Sequence, residues 1–152
     1  MPRKNREPQA PLLGIPDRAV GYAFLRFVLG FDILMHGVSR LISGLAAFAE
    51  QMSNSFQNTI LPVSLVRPFA QALPFIEVVV GGLVLLGLFT RAALMAGGVL
   101  IVVLMFGTTL QGKWDVLSQQ LLYGAVYAVL LATARWNHVA LDTWLARRSV
   151  RT

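Results

Sequence analysis

The sequence predicts an all-α integral membrane protein: a four-helix bundle with a short N-terminal arm and an amphipathic C-terminal tail. Three observations carry this. Apolar residues make up 56% of the chain and charged residues only 13%, about half the charge of a soluble domain. The apolar residues fall into four continuous runs, each close to the length of about 20 residues that a helix needs to cross a bilayer. Those runs and their connections use nearly all of the 152 residues, which leaves no room for a soluble catalytic domain. Helix is preferred to strand because open strands leave backbone groups unsatisfied in lipid, and a barrel would alternate in polarity.

Residues 1–18 contain four prolines and four basic residues without helical periodicity, and read as a solvated arm. The first span is expected over 19–42, interrupted by Arg26, Asp32, His36 and Arg40. A long connection follows over 43–67, with room for a short surface helix. The second span, 68–89, holds Gln71, Pro74 and Glu77. The turn at Thr90 and Arg91 is short enough to force an antiparallel hairpin with the third span, 92–110, which carries no charge. A connector, QGKWDV, leads to the fourth span at 117–134. The tail, 135–152, places Trp136 and Trp144 for a membrane interface, with Arg147, Arg148 and Arg151 beyond.

The net charge of +6 does not point to nucleic acid, because the basic residues flank apolar runs as topology determinants do. With no cysteine, the chain has no disulfide, thiol nucleophile or cysteine-held cluster. The two histidines, His36 and His138, fall at different depths, which argues against a bis-histidine haem; no metal site is expected. Gly81, Gly82, Gly87, Gly97 and Gly98 read as small residues for close helix packing, with no phosphate loop around them.

A charged side chain at the bilayer centre costs about 2.5–3.5 kcal/mol, so each one must face the interior, pair or reach an interface. Asp32, His36 and Arg40 stand at i, i+4 and i+8, in a ladder on one helix face. Arg26 lies about 40° around the helix from Arg40 and joins the same broad face. In a purely structural alternative the two arginines reach opposite interfaces, while Asp32 and His36 satisfy each other. Glu77 falls at a depth compatible with His36, and its expected partner is His36, Arg26 or Arg40. The pairing serves either a proton relay through His36 and Glu77 or a structural ion pair. In the fourth span Gln119, Tyr123 and Tyr127 are aligned. Arg26, Asp32, Arg40, Gln119 and Tyr123 therefore make a candidate polar pocket.

The stretch LRFVLG at 25–30, then HGVSRL at 36–41, PFIE at 74–77, LLGLFTR at 85–91 and finally Tyr123 resembles the DoxX family of small four-helix membrane proteins. Arg40 stands where that family's pattern has lysine. The resemblance implies a quinone-linked redox role, with a quinone headgroup in the polar pocket and a redox partner subunit. The rival reading is a non-enzymatic membrane factor that assembles or stabilises a partner complex, and a homo-oligomer is compatible with either. A small transporter is weaker, since no inverted repeat is visible.

Placing both termini in the cytoplasm puts Arg3, Lys4, Arg6, Arg18, Arg91, Arg135, Arg147, Arg148 and Arg151 inside, against Arg67 and Lys113 outside. The imbalance predicts an inner-membrane protein with its termini cytoplasmic. Single cysteines introduced into this cysteine-free background at Asn5 and Arg148 should be shielded from an impermeant reagent in intact cells, and one at Asn54 labelled. The reverse pattern would refute the orientation.

Overall fold

The computed structural model describes residues 14–149, and among them every regular element is helical. The helices are α1 (Asp17–Ile42), α2 (Leu45–Ser55), α3 (Val63–Leu86), α4 (Thr90–Leu110), α5 (Trp114–Ala132) and α6 (Leu141–Ser149), with one 3-10 turn at Ala134–Trp136. Four of them, α1, α3, α4 and α5, are long and apolar enough to cross a membrane. The expected arm at residues 1–13 and the last three residues lie outside the described part.

Bulky apolar side chains point outward, as lipid requires. Phe24, Phe27 and Phe31 on α1, Phe75 on α3, Phe106 on α4 and Leu122 on α5 are each at least half exposed. The interior is a smaller cluster around Tyr22, Leu29, Ile33, Val84, Leu94 and Leu130. The most extensive helix contact joins α1 to α3, followed by α4 to α5, whereas α1 and α5 barely touch. α1 and α3 approach closely because neither presents bulk at the crossing. A Cβ on Gly30 would collide with the backbone of Leu85, and one on Gly81 with the backbone of Leu34. Without a hydrophobic drive between helices in lipid, such close contact is what holds them together. Gly97 does the same for α4 and α5 by admitting the ring of Tyr127, whereas Gly82 has no neighbour close enough to need a glycine.

Two helix starts depart from the expected spans. α3 begins at Val63, before Pro68, because Pro62 holds the extended conformation of an N-cap, and the helix runs on through Pro68. α5 begins at Trp114, because Gly112 turns the chain with a φ of +67° and Asp115 in the first turn complements the helix dipole. The long connection does hold a helix, α2, which lies on α3 and buries Ala49 and Ser53.

The tail is not a free amphipathic strap. Gly87 closes α3 in the left-handed conformation, and Phe89 takes a φ of 46° before α4 starts. No local side chain caps α4. The cap comes from Asp142, whose carboxylate accepts from the N–H groups of Phe89 and Thr90 and from the Thr90 hydroxyl, all at 2.8 Å. Asn137 donates to the same hydroxyl at 2.9 Å. Thus the chain after α5 folds back and locks the α3–α4 turn. Trp136 lies between Arg18 and Arg135, and Trp144 under Arg148, in cation–π contact at this end of the bundle.

Burial alone would raise the Asp142 pKa, but the hydrogen bonds from Thr90 and Phe89 and the charge of Arg26 outweigh it and hold the carboxyl below its usual range. Its stabilisation is therefore complete above about pH 4 and is lost as pH falls through the depressed folded-state value. Asp142→Ala should cost about 1 kcal/mol at neutral pH, the usual worth of a helix cap. Thermal unfolding in detergent should show the gap between wild type and variant narrowing as pH falls below the ordinary aspartate range.

Candidate functional site

The polar residues of the spans divide into three places. The first is the ion pair of Arg40, in the last turn of α1, with Glu77 in the middle of α3. Glu77 is 3% exposed, and its Oε2 has no hydrogen-bond partner. The guanidinium also lies over the ring of Phe48 from α2, 4.8 Å from its centroid. An unpaired carboxylate could not stay charged here, and the cation of α4, Arg91, stands in its first turn at the hairpin end, so the partner comes from α1. Of the three expected candidates, Arg40 makes the contact. His36 sits close enough to act on Glu77 electrostatically but forms no bond to it.

The second place is the α1 ladder. His36 Nδ1 lies 2.9 Å from the Asp32 carbonyl and 3.4 Å from its carboxylate, and the side chains are 48% and 37% exposed. The imidazole is thus about half exposed, whereas the Asp32 Oδ2 is buried. Tyr123 approaches from α5, near enough to feel the charge of Asp32. Gln119 faces outward, and its neighbour Gln120 is the one turned inward, with a buried Oε1 that has no partner.

The third place corrects the reading of Arg26. It does not share a pocket with Arg40, because fourteen residues of helix separate them by about 21 Å along the axis. Buried to 5% exposure, Arg26 donates to the carbonyls of Val84 at 2.6 Å and Leu85 at 2.9 Å, and to that of Val139 at 2.8 Å. The last carbonyls of α3 have no partner within the helix and carry the negative end of its dipole, so a cation belongs there. Arg26, Asp142, Thr90 and Asn137 thus form a latch at the hairpin end. Sequence reading missed the last three, whose only signal was a Thr-Arg turn and a lone aspartate after a tryptophan-rich segment.

A cavity of about 530 Å³ opens beside Arg40, where α3 and α4 diverge under α2. Its walls include Phe48, Phe56, Phe69 and Phe106, with polar members that include Arg40, Thr108, Gln111, Lys113 and Gln120. None of the expected pocket residues except Arg40 lines it.

Glu77→Gln should lower stability by about 2 kcal/mol: breaking a buried pair costs about 3–5 kcal/mol, and Arg40, at 26% exposure, recovers part of this by turning outward. The double variant Arg40→Gln, Glu77→Gln should be more stable than Glu77→Gln alone, as read from melting in detergent. Equal stability of wild type and Glu77→Gln would remove the pair from the account.

Comparison with known proteins gives one family. Residues 18–115 match the model of the family described as methylamine utilisation protein MauE. No curated protein and no solved structure shows a significant match. The match overturns the resemblance to DoxX, and the structure shows why the two are easily confused. The residues that carried the resemblance, Arg26, Gly30, Gly37, Gly87 and Thr90, serve helix approach and the hairpin latch. Such features belong to any tight membrane hairpin of this geometry. The matched region runs from α1 to the start of α5 and contains both partners of the buried ion pair: the chain is an integral membrane protein of the MauE family.

Proposed function

We propose that the protein is a membrane accessory factor of a redox system, which holds or assembles a partner within the bilayer and leaves the chemistry to it. The observation that carries this reading is the Asp32–His36 pair of α1, whose side chains are 37% and 48% exposed. Ionisable groups facing hydrocarbon are costly, and a partner helix that hydrogen-bonds to them removes the cost. Arg26, Glu77 and Asp142 are already engaged within the chain, so this pair is left for recognition. The family's description supplies the setting: the partner is another methylamine utilisation protein. With no cysteine, the chain takes no direct part in thiol exchange. Its place is the inner membrane, with both termini cytoplasmic, on the count of basic residues given above.

A quinone-interacting role is the second reading, favoured by the cavity on whose wall Arg40 stands. In it, Arg40 and Gln120 meet the headgroup, and Glu77 holds Arg40 in place.

Affinity purification of the full chain in mild detergent, from cells grown on methylamine, tests the first reading. A methylamine utilisation protein should co-purify with the wild type. Asp32→Asn, His36→Gln should keep the melting temperature and reduce recovery of that partner at least tenfold. Undiminished recovery with the double variant, or a second copy of this chain as the sole companion, would overturn it.

A further inference from the structure

We infer that the cavity between the diverging ends of α3 and α4 is a binding site for an uncharged, flat-headed amphiphile dissolved in the bilayer, of the quinone or quinol class. The inference deepens the second reading above and rests on it only for the choice of class.

The cavity follows from the hairpin. α3 and α4 are tied at one end by the turn at Gly87–Phe89, and the latch keeps that end closed. At the other end α2 lies across α3, and the space below it is not filled. Its volume of about 530 Å³ falls within the range of about 300–1,000 Å³ usual for small-molecule sites. Val103 and Phe106 of α4 and Leu65 of α3 both line the cavity and are exposed on the apolar surface. The opening therefore faces lipid, and the occupant arrives from the bilayer.

The polar groups select the head. Of the two cations in the lining, Lys113 is exposed and Arg40 is already neutralised by Glu77, so a phosphate inside the cavity would compete with a buried carboxylate for one guanidinium and place two anions side by side. A neutral head avoids this. Among the described residues Glu77 is the hydrogen-bond acceptor for Arg40, and a guanidinium has five N–H donors, so donors remain for a carbonyl. Gln120 brings a buried Oε1 without a partner, which accepts from a hydroxyl; the same amide, turned over, donates to a carbonyl. The site thus suits both the oxidised and the reduced head. Phe48, Phe56, Phe69 and Phe106 line the walls and favour a flat ring over a branched glycerol head, since aromatic faces stack. Neither the Asp32–His36 pair nor Gln119 takes part.

Native mass spectrometry of the delipidated full chain, titrated with a decyl-tailed benzoquinone, tests the proposal. One molecule should bind per chain. Val103→Trp fills the mouth from the lipid side and should abolish binding, whereas Val102→Trp, on the same exposed surface but outside the cavity, should leave it intact. Gln120→Leu should weaken binding about tenfold, the worth of one hydrogen bond. Unchanged binding in Val103→Trp, or displacement of the probe by phosphatidylglycerol, would overturn the proposal. Partner recovery measured on Val103→Trp separates the two ideas: an empty cavity with the partner retained removes the ligand and leaves the accessory role standing.

Discussion

A carboxylate buried in the middle of a membrane helix needs a cation, and the union of Glu77 with Arg40 sets the register of α1 against α3. The constraint is stronger than hydrophobic packing could supply, because lipid tails solvate leucine as well as another helix does. Once the pair is made, Gly30 and Gly81 must fall at the crossing, and they do. The cation–π contact of Arg40 with Phe48 then draws α2 over the same end. One ion pair thereby orients three helices and leaves the cavity beside it.

The opposite end is organised by backbone rather than by side-chain charge. Arg26 reads the exposed carbonyls of α3, and Asp142 reads the exposed N–H groups of α4. Each group neutralises one end of a helix dipole at the same turn. The bundle is thus held by an ion pair at one level and by two helix-end contacts at another, with an almost purely apolar layer of Leu29, Ile33, Val84 and Leu94 in between.

Much of this was legible in the sequence, for identifiable reasons. The spans were readable because hydropathy is a property of composition over about 20 residues and needs no knowledge of neighbours. The need of Glu77 for a cation from α1 was readable because residues 92–110 carry no charge. Arg26 was misplaced because its partners are carbonyls, which every residue has and no sequence pattern reveals. The cap on α4 was hidden for a similar reason: Asp142 follows Thr90 by 52 positions, beyond any local capping signature. The choice of Gln120 over Gln119 depended on how α5 is rotated against its neighbours, and the cavity on how the helices around it pack. The family resemblance erred because close-packing glycines and a hairpin turn record geometry, which unrelated membrane families share.

The distance in sequence between Thr90 and Asp142 also bears on how the protein is made. The α3–α4 turn emerges from the ribosome and enters the membrane well before α6 exists, so α4 must first insert with its leading N–H groups served only by water or headgroups. The latch can close only after α5 has crossed and the chain has returned to the same face of the bilayer. A correctly docked C-terminal segment therefore reports that all four crossings were completed in the right order. A chain that skipped one would carry Asp142 to the wrong side and leave the hairpin open to the cell's membrane proteases.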